Sequence, residues 1–286
     1  MTTIIDGKLC AKKILDKLKN KTAKLEKKPS LAVILANNDE SSKLYVASKE
    51  KTSNSLGFES CVYRFDKSIT QGELIKLIHE LNENPNINGI LVQLPLYKHL
   101  DSQEIIELIN PKKDVDGFHP INVGRLNCGL EPYAICCTPK GIIKLLKEYE
   151  INLVGKNVVV IGRSNIVGKP TSTLLMNENA TVTLAHSKTK NLKEITKTAD
   201  IIVSATGVAK LIKADMVKKG AVVIDVGINK QSNGKLIGDV DFDKVKNIAS
   251  FITPVPGGVG PMTIACLMEN TYELFLTQNG LQDAKF

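Results

Sequence analysis

The chain has 286 residues, of which 43% are hydrophobic and 24% charged, and its formal net charge is +8. This composition is that of an ordinary globular protein with one large domain or two smaller ones. It contains no run of 18 apolar residues and no basic-then-apolar N-terminal block, which excludes a membrane span and a secretory signal. Six cysteines and four histidines without ligand spacing predict reduced thiols in the cytoplasm and no metal site.

The positive charge has three explanations. Lysines spread along solvent-exposed helix faces are the first, and attraction of an anionic substrate or cofactor is the second. Nucleic-acid binding is the least favoured, because arginines are not clustered and only 5% of residues are aromatic. We therefore expect a small-molecule partner and neither a nucleic acid nor a membrane.

Residues 1–137 alternate between helical and strand patterns, which predicts an α/β domain with a parallel sheet. The helices are expected over residues 7–28, 42–56 and 71–82, and the strands over residues 31–35, 61–65 and 89–94.

A second, Rossmann-like doubly wound domain is expected over residues 138–260, with Thr138 as the N-cap and Pro139 as the first residue of its opening helix. Its strands are expected over residues 158–161, 180–185, 201–204, 221–225 and 250–253. The C-terminal segment 261–286 begins with a helix to about Gln278, which we expect to pack back on the first domain. An active-site cleft between the two domains is the resulting prediction.

A glycine-containing turn follows the strand at residues 158–161. Gly162 ends the strand, and Gly168 and Pro170 open a helix, as in turns that bind phosphate at a helix N-terminus. The spacing is G-x-S-x-x-x-G, not the usual G-x-G-x-x-G. A βα turn without a ligand is therefore the alternative.

Arg163 in this turn favours a phosphate ligand. Only Arg64, Arg125 and Arg163 are arginines among 38 basic residues, and a guanidinium can bind phosphate in a bidentate manner. After the next strand come His186, Ser187 and Lys188, where an NAD site usually has an acidic residue. We therefore predict NADP over NAD, with Arg163 and Ser187 near its 2′-phosphate.

Five further residues are candidates for chemistry in the first domain. Tyr45 and Lys49 are spaced i, i+4 on one predicted helix, so both can reach one substrate, unless this is an exposed face with an incidental tyrosine. Gln93 is a polar residue at the carboxyl end of a strand, either hydrogen-bonded in the core or lining a ligand crevice. Asp114 and Asp116 precede Gly117, in a simple turn or beside the donor edge of a heterocycle.

Two runs in the second domain complete the candidates. Asp225–Asn229 follows a buried strand, where Gly227 allows close approach of a ligand and Ile228 could cover a nicotinamide. The run from Thr253 to Thr263 has three prolines and three glycines in eleven residues, which fix the shape of a loop. This loop is expected to form a rigid wall beside the ligands or, alternatively, a purely structural corner.

Together these runs resemble the bifunctional methylenetetrahydrofolate dehydrogenase/methenyltetrahydrofolate cyclohydrolase family. The matching motifs are Ser42-x-x-Tyr45-x-x-x-Lys49, Val92-Gln-Leu-Pro-Leu96, Lys113-Asp-Val-Asp-Gly-Phe118, Gly162-Arg-Ser-x-Ile-Val-Gly-Lys-Pro170, His186-Ser-Lys-Thr189 and Thr253-Pro-Val-Pro-Gly-Gly-Val-Gly-Pro-Met-Thr263. Tyr97 and Cys136 stand where the family usually has proline, which affects the expected loop shape near them.

The resemblance implies that NADP⁺ oxidises 5,10-methylenetetrahydrofolate and that the resulting methenyl compound is hydrolysed to 10-formyltetrahydrofolate, in a homodimer. It implies proton transfer by Lys49, stacking of Tyr45 on the folate, tuning of Lys49 by Gln93, and binding of the pterin edge by Asp116. The implied cofactor residues are Gly162, Arg163, Ser164, Ser187 and Ile228. The implied substrate residues are Tyr45, Lys49, Val92, Gln93, Leu94, Asp116, Pro256, Gly257, Gly258, Val259 and Gly260.

Three other classes compete with this interpretation. In short-chain dehydrogenases a Tyr-x-x-x-Lys pair follows the nucleotide loop, whereas here it precedes that loop. A shikimate-dehydrogenase-like enzyme shares the two-domain plan but has different motifs. A non-enzymatic protein that senses NADP or binds folate would bind without turnover, which an NADPH absorbance assay separates.

Overall fold

The computed structural model describes residues 1–281. The helices in chain order are α1 Gly7–Thr22, α2 Glu40–Ser55, α3 Gln71–Glu83, α4 Ser102–Leu108, α5 Pro120–Asn127, α6 Cys137–Glu148, α7 Gly168–Asn177, α8 Leu192–Lys197, α9 Phe242–Val245 and α10 Val259–Gln278. The strands are β1 Thr3–Ile4, β2 Ser30–Leu35, β3 Glu59–Arg64, β4 Gly89–Val92, β5 Asn157–Ile161, β6 Thr181–Ala185, β7 Ile201–Ser204, β8 Val222–Asp225, β9 Asn229–Lys230, β10 Leu236–Ile237 and β11 Phe251–Ile252.

The chain divides into two compact units. The three-stranded unit comprises residues 13–137 and the chain from Leu267 onward, and the six-stranded unit comprises residues 1–12 and 138–266. The helices within residues 1–281 include none that is both long and apolar enough to cross a membrane.

The three-stranded unit has a parallel sheet in the order β3-β2-β4. Every residue of the central strand β2 is buried, as expected for a parallel strand with neighbours on both sides. The apolar stripe of α3, with Leu74 and Ile78, packs into one core with Ile34 and Ile90 from the sheet. The core formed by the sheet and α3 therefore fixes the positions of the carboxyl ends of β2 and β4.

The six-stranded unit has a parallel sheet in the order β6-β5-β7-β8-β11-β1. The chain runs from β5 outward to β6 and then returns to β7 on the other side of β5. This is a doubly wound arrangement, in which ligands bind where the strand order reverses, here beyond the carboxyl ends of β5 and β7. A short antiparallel hairpin, β9 with β10, lies outside this sheet.

Several boundaries differ from those expected, among them these four. Helix α1 ends at Thr22, where the Lys28 ammonium donates to the carbonyl oxygens of Thr22 and Leu25 at 2.8 and 2.6 Å and so caps the helix. Helix α6 begins at Cys137, so Thr138 is not its N-cap, and the Thr138 hydroxyl instead hydrogen-bonds Thr263 Oγ1 at 2.9 Å. Strand β4 ends at Val92, and α10 begins at Val259.

Candidate active site

Lys49 is the central feature of the three-stranded unit. It lies on α2, which Asp39 caps by accepting the Ser42 backbone N–H at 2.8 Å. The helical spacing brings the Lys49 ammonium to 4.7 Å from the centre of the Tyr45 ring. Only 4% of Lys49 is exposed, so this lysine is buried on a helix whose other faces carry solvated side chains.

Gln93 holds the Lys49 ammonium. It follows directly after β4, where its backbone N–H donates to the Ile34 carbonyl at 2.9 Å and extends the pairing with β2. Its side-chain amide donates to the Leu94 carbonyl at 2.9 Å, which leaves Oε1 to accept from Lys49 Nζ at 3.0 Å. The amide is thus fixed at both ends, and it orients the lysine.

Asp116 reaches Lys49 from a loop that other side chains hold in place. The Asp114 carboxylate accepts the backbone N–H groups of Gly117 and His119 at 3.0 and 2.8 Å and the Asn122 amide at 3.0 Å. Gly117 has φ +68°, a conformation that favours glycine at this turn. Asp114 therefore stabilises the turn, and Asp116 is left to interact with Lys49.

The pKa values of the two groups move toward neutrality. Burial lowers the pKa of Lys49, and the nearby Asp116 and Cys137 oppose this shift. Burial also raises the pKa of Asp116 to about 6, further raised by Asp114 and opposed by the Lys49 charge. A lysine that loses its proton more easily beside a carboxyl group with a pKa near 6 can exchange protons with a bound ligand at neutral pH.

Sequence reasoning missed Cys137 as a neighbour of this site. Its thiol donates to the Val115 carbonyl at 3.4 Å, and its proximity affects the pKa values of both Asp116 and Lys49. Cys137 begins α6, and the Asn270 amide, which donates to the carbonyls of Val115 and Ile135 at 2.8 Å each, also lies 3.5 Å from its sulfur. The sequence offers a cue, because Cys137 directly precedes the Thr138-Pro139 pair that predicts a helix start.

The other expected substrate residues of this unit flank Gln93. Val92 is 4% exposed and its side chain belongs to the hydrophobic core, so its backbone is the part that lies at the strand end. Leu94 is half-buried, and its carbonyl oxygen holds the Gln93 amide.

The two departures from the family pattern have local partners. The Tyr97 backbone N–H donates to the Ala36 carbonyl at 2.9 Å, and its ring stacks on His99 with centroids 5.9 Å apart. The buried Cys136 thiol donates to the Gly117 carbonyl at 3.1 Å. Both replacements are therefore accommodated by contacts within the three-stranded unit.

In the six-stranded unit, Gly162 marks the place where the strand order reverses. It follows β5 with φ +111°, and a Cβ there would overlap the carbonyl of Ala205, which follows β7. A Cβ on Gly168 would likewise overlap the Gly162 carbonyl. Both glycines are required because the turn brings backbone against backbone.

Ser164 has a structural task in this turn. Its hydroxyl accepts the N–H groups of Val167 and Gly168 at 3.1 and 3.3 Å, so two donors at the start of α7 are satisfied within the protein. Arg163 is exposed beside them. The exposed Arg163 guanidinium is thus a donor in this turn that remains available to an anion.

The turn after β6 offers further donors. Its backbone is fixed by the His186 N–H, which donates to Thr189 Oγ1 at 2.9 Å, and Ser187 and Lys188 are exposed. A serine and a lysine without a neighbouring carboxylate fit a phosphate better than a ribose hydroxyl pair. Ile228, beyond β8, is 61% exposed, which is unusual for a large apolar side chain.

The proline- and glycine-rich run after β11 is tightly packed. Gly257 has φ +108°, and a Cβ on Gly258 would lie 2.6 Å from the Pro254 carbonyl oxygen. Val259 and Gly260 are the first residues of α10, not loop residues, and Val259 is 4% exposed. Pro256 is exposed at the tip of the run.

Comparison with known proteins gives this arrangement a family. The chain matches the family model described as tetrahydrofolate dehydrogenase/cyclohydrolase, catalytic domain, over residues 5–116, and the NAD(P)-binding domain of the same family over residues 136–279. The bifunctional protein FolD of Campylobacter hominis is 58% identical over 271 residues, which cover 94% of this chain and 95% of that protein.

Solved structures agree. The bifunctional FolD methylenetetrahydrofolate dehydrogenase/cyclohydrolase from Campylobacter jejuni is 51% identical with a TM-score of 0.95, covering 98% of this chain and 100% of that one. The Trypanosoma brucei enzyme, complexed with NADP cofactor and inhibitor, is 38% identical with a TM-score of 0.93, covering 96% and 98%. The chain therefore belongs to the tetrahydrofolate dehydrogenase/cyclohydrolase family.

Proposed function

We propose that this enzyme oxidises 5,10-methylenetetrahydrofolate with NADP⁺ and hydrolyses the methenyl product to 10-formyltetrahydrofolate. The observation that carries the proposal is the buried Lys49 in the three-stranded unit, which Gln93 orients by a hydrogen bond. Burial lowers the pKa of Lys49, and the nearby Asp116 charge partly offsets that shift. In this proposal the three-stranded unit binds the folate and the six-stranded unit binds NADP. Residues 1–12 and 261–266, which the sequence pattern placed with the folate-binding domain, belong to the six-stranded unit, where β1 pairs with β11.

The hydrolysis depends on proton transfer at a cationic carbon. Water adds to the methenyl carbon and loses a proton, and one carbon–nitrogen bond then breaks as that nitrogen is protonated. Lys49, whose pKa is lowered by burial, accepts the proton from water in its neutral form and returns one to the nitrogen. A neutral amine is also less repelled by the cation than an ammonium is.

The folate ring is held by the remaining residues of the proposed site. Tyr45, beside Lys49, stacks on the ring system, and Asp116 accepts hydrogen bonds from its pterin edge. The backbone near Val92 and Leu94 and the run Pro256, Gly257, Gly258, Val259 and Gly260 border the folate. Gln93 keeps the Lys49 amine aimed at the one-carbon unit.

The dinucleotide is held by the six-stranded unit. Gly162 lets the turn after β5 pack against the Ala205 carbonyl. In this proposal the exposed Arg163 and Ser187 bind the 2′-phosphate, and Ile228 covers the nicotinamide. Ser164 fixes the turn that presents Arg163. When bound, NADP⁺ supplies the hydride acceptor, so the chain needs to orient the reactants and needs no metal or strong base for this step.

An assay of the purified chain with methylenetetrahydrofolate and either NADP⁺ or NAD⁺ tests the proposal. NADPH absorbance should increase, kcat/KM should be at least about tenfold higher with NADP⁺ than with NAD⁺, and added methenyltetrahydrofolate should be hydrolysed without any dinucleotide. Binding of NADPH without turnover of either folate would instead identify a non-enzymatic binding protein. Turnover with NAD⁺ at equal efficiency would contradict only the assignment of Arg163 and Ser187.

The assembly and compartment are proposed from the family resemblance. We infer that the protein is a homodimer and that it works in the cytoplasm. The cytoplasmic assignment agrees with the six cysteines, which all carry free thiols. Sedimentation of the full chain at micromolar concentration checks the dimer.

A further inference from the structure

A buried pair of carboxylates, Asp225 and Asp239, lies at the carboxyl edge of the six-stranded sheet. Asp225 is the last residue of β8 and is 3% exposed, and Asp239 is fully buried. Neither residue has a part in the reaction proposed above. Buried carboxylates are costly unless they organise their surroundings, so their hydrogen bonds show what they do.

Asp239 connects two loops. Its Oδ2 accepts four hydrogen bonds. One comes from Ser204 Oγ at the end of β7, at 3.2 Å, and three come from the turn that follows, from Thr206 N at 2.7 Å, Thr206 Oγ1 at 2.9 Å and Gly207 N at 3.2 Å. Its Oδ1 accepts the Asn229 side-chain amide at 3.1 Å. One carboxylate therefore ties the turn after β7 to the residue that follows the exposed Ile228.

Asp225 fixes the same region from the other side. Its Oδ1 accepts the backbone N–H groups of Gly227 and Asp239, both at 2.9 Å, and its Oδ2 accepts that of Val240 at 2.9 Å. The loop 226–229 is thus held at Gly227 by Asp225 and at Asn229 by Asp239. Ile228 lies between these two anchors, with its side chain in solvent.

Two glycines show how closely the carboxylates approach the backbone. A Cβ on Gly227 would overlap the Asp239 carboxylate, and a Cβ on Gly238 would overlap that of Asp225. Neither Gly227 nor Gly238 has a positive φ, so steric room is the reason for glycine at both positions. The two runs Asp225-Val-Gly-Ile-Asn229 and Gly238-Asp239 are therefore packed against each other and joined by the hydrogen bonds of the two carboxylates.

We propose that Asp239, together with Asp225, is a positioning residue for the dinucleotide: it fixes Ile228 and the turn after β7 so that they receive the nicotinamide end of NADP. This inference rests on the proposed function, in which Ile228 covers the nicotinamide. It goes beyond that function because it assigns a task to two buried carboxylates whose hydrogen-bond donors come from the protein. Preorganisation of a binding loop improves affinity by reducing the ordering that binding would otherwise require.

Two variants test the proposal. Asp239→Asn keeps the volume but replaces one acceptor oxygen by an NH₂ group, which must face either the donors of the turn after β7 or the Asn229 amide. Asn229→Ala removes only the tie to the Ile228 loop and leaves the buried carboxylate with its four other donors. Asp243→Asn is the matched control, since this carboxylate is exposed and pairs with Lys246 at 2.9 Å.

The readouts separate positioning from loss of structure. We expect the Kd for NADPH, measured by fluorescence titration without folate, to rise at least about tenfold in Asp239→Asn and about threefold or more in Asn229→Ala. Hydrolysis of methenyltetrahydrofolate, which uses no dinucleotide, should stay within about twofold of wild type. A merely structural role would weaken NADPH binding and slow hydrolysis together, and it would also lower the thermal midpoint of unfolding.

The possible outcomes are distinct. If the folded Asn229→Ala and Asp239→Asn proteins bind NADPH as tightly as wild type, the positioning role is wrong while the proposed function stands. If Asp239→Asn does not fold, Asn229→Ala decides by the same criterion. If the wild-type chain neither binds NADPH nor forms it, the proposed function is wrong and this inference is wrong with it.

Discussion

The three-stranded and six-stranded units each contain a carboxyl group whose pKa burial raises to about 6, Asp116 in the first and Asp225 in the second. Their partners differ. Asp116 interacts with the Lys49 ammonium and the Cys137 thiol, both side chains that can gain or lose a proton. Asp225 accepts hydrogen bonds from three backbone N–H groups, and these groups do not gain or lose a proton.

This comparison shows that a shifted pKa does not by itself identify a catalytic group. Both shifts come from the same cause, removal of the carboxylate from water. The partners decide the role, because an oxygen held by fixed backbone donors stabilises a loop, whereas one facing a buried lysine can share a proton with a ligand. Substitutions at Lys49, Asp116 and Asp225 distinguish proton sharing with a ligand from stabilisation of a loop.

The largest effect is expected from Lys49→Met. This change keeps the length of the side chain and removes the amine, so hydrolysis of methenyltetrahydrofolate should fall by about 10²–10⁴-fold or more while the fold is kept. The measurement is the loss of methenyl absorbance, with circular dichroism as a check of the fold. Lys51→Met, an exposed lysine on the same helix, is the control and should be neutral. Full hydrolysis by Lys49→Met would exclude Lys49 from proton transfer.

An intermediate effect is expected from Arg163→Ala in the six-stranded unit. Loss of a charged hydrogen-bond donor to the 2′-phosphate should raise the KM for NADP⁺ by about 10–100-fold and leave the KM for NAD⁺ within about twofold. Initial rates with each dinucleotide measure both values. Arg64→Ala, which removes only an exposed ion pair with Glu50 at 3.0 Å, is the matched control. An unchanged KM for NADP⁺ would show that another group binds the phosphate.

The elements with clear periodicity could be predicted from the sequence. The β-branched runs of β5 and β7 and the apolar stripe of α3 lie where the pattern places them, because burial of these residues determines both the pattern and the structure. Strand β1 was not predicted. It has two residues and forms only by pairing with β11, so no local pattern reports it. Helices α4 and α5 were also missed, since each is too short for a long periodic signal.

The candidate site was predictable where its chemistry is local. Tyr45 and Lys49 meet through helical spacing alone, and the polar Gln93 within an apolar run indicated a strand end. The carboxylate network of Asp239 was not found, because its partners come from residues 204–207 and 229 and depend on the order of the strands. Cys137 was missed for the same reason, as its contact with Asp116 joins two separate segments.

The smallest effect is expected in the pH dependence of stability. The pKa of Asp116 is about 6 in the folded chain against 3.8 ordinarily, so its contribution to stability is fully present below pH 3.8 and is lost as the pH rises through 6. Asp116→Asn does not titrate. Its free energy of unfolding relative to wild type should therefore increase by about 1 kcal/mol between pH 4 and 7, less than the full shift implies because the Lys49 charge is also affected.

Urea unfolding of both proteins at several pH values measures this difference. Asp225→Asn is the informative comparison, because its new NH₂ group must meet backbone N–H donors, which should cost about 1–3 kcal/mol at every pH. This loss adds to a pH-dependent gain like that of Asp116→Asn, because the pKa of Asp225 is also raised to about 6. Asp116, whose neighbours are side chains, should show the pH-dependent gain without that constant loss. A difference between Asp116→Asn and wild type that does not vary with pH would mean that Asp116 is ionised throughout the range, and the proton exchange with Lys49 would then need another acid.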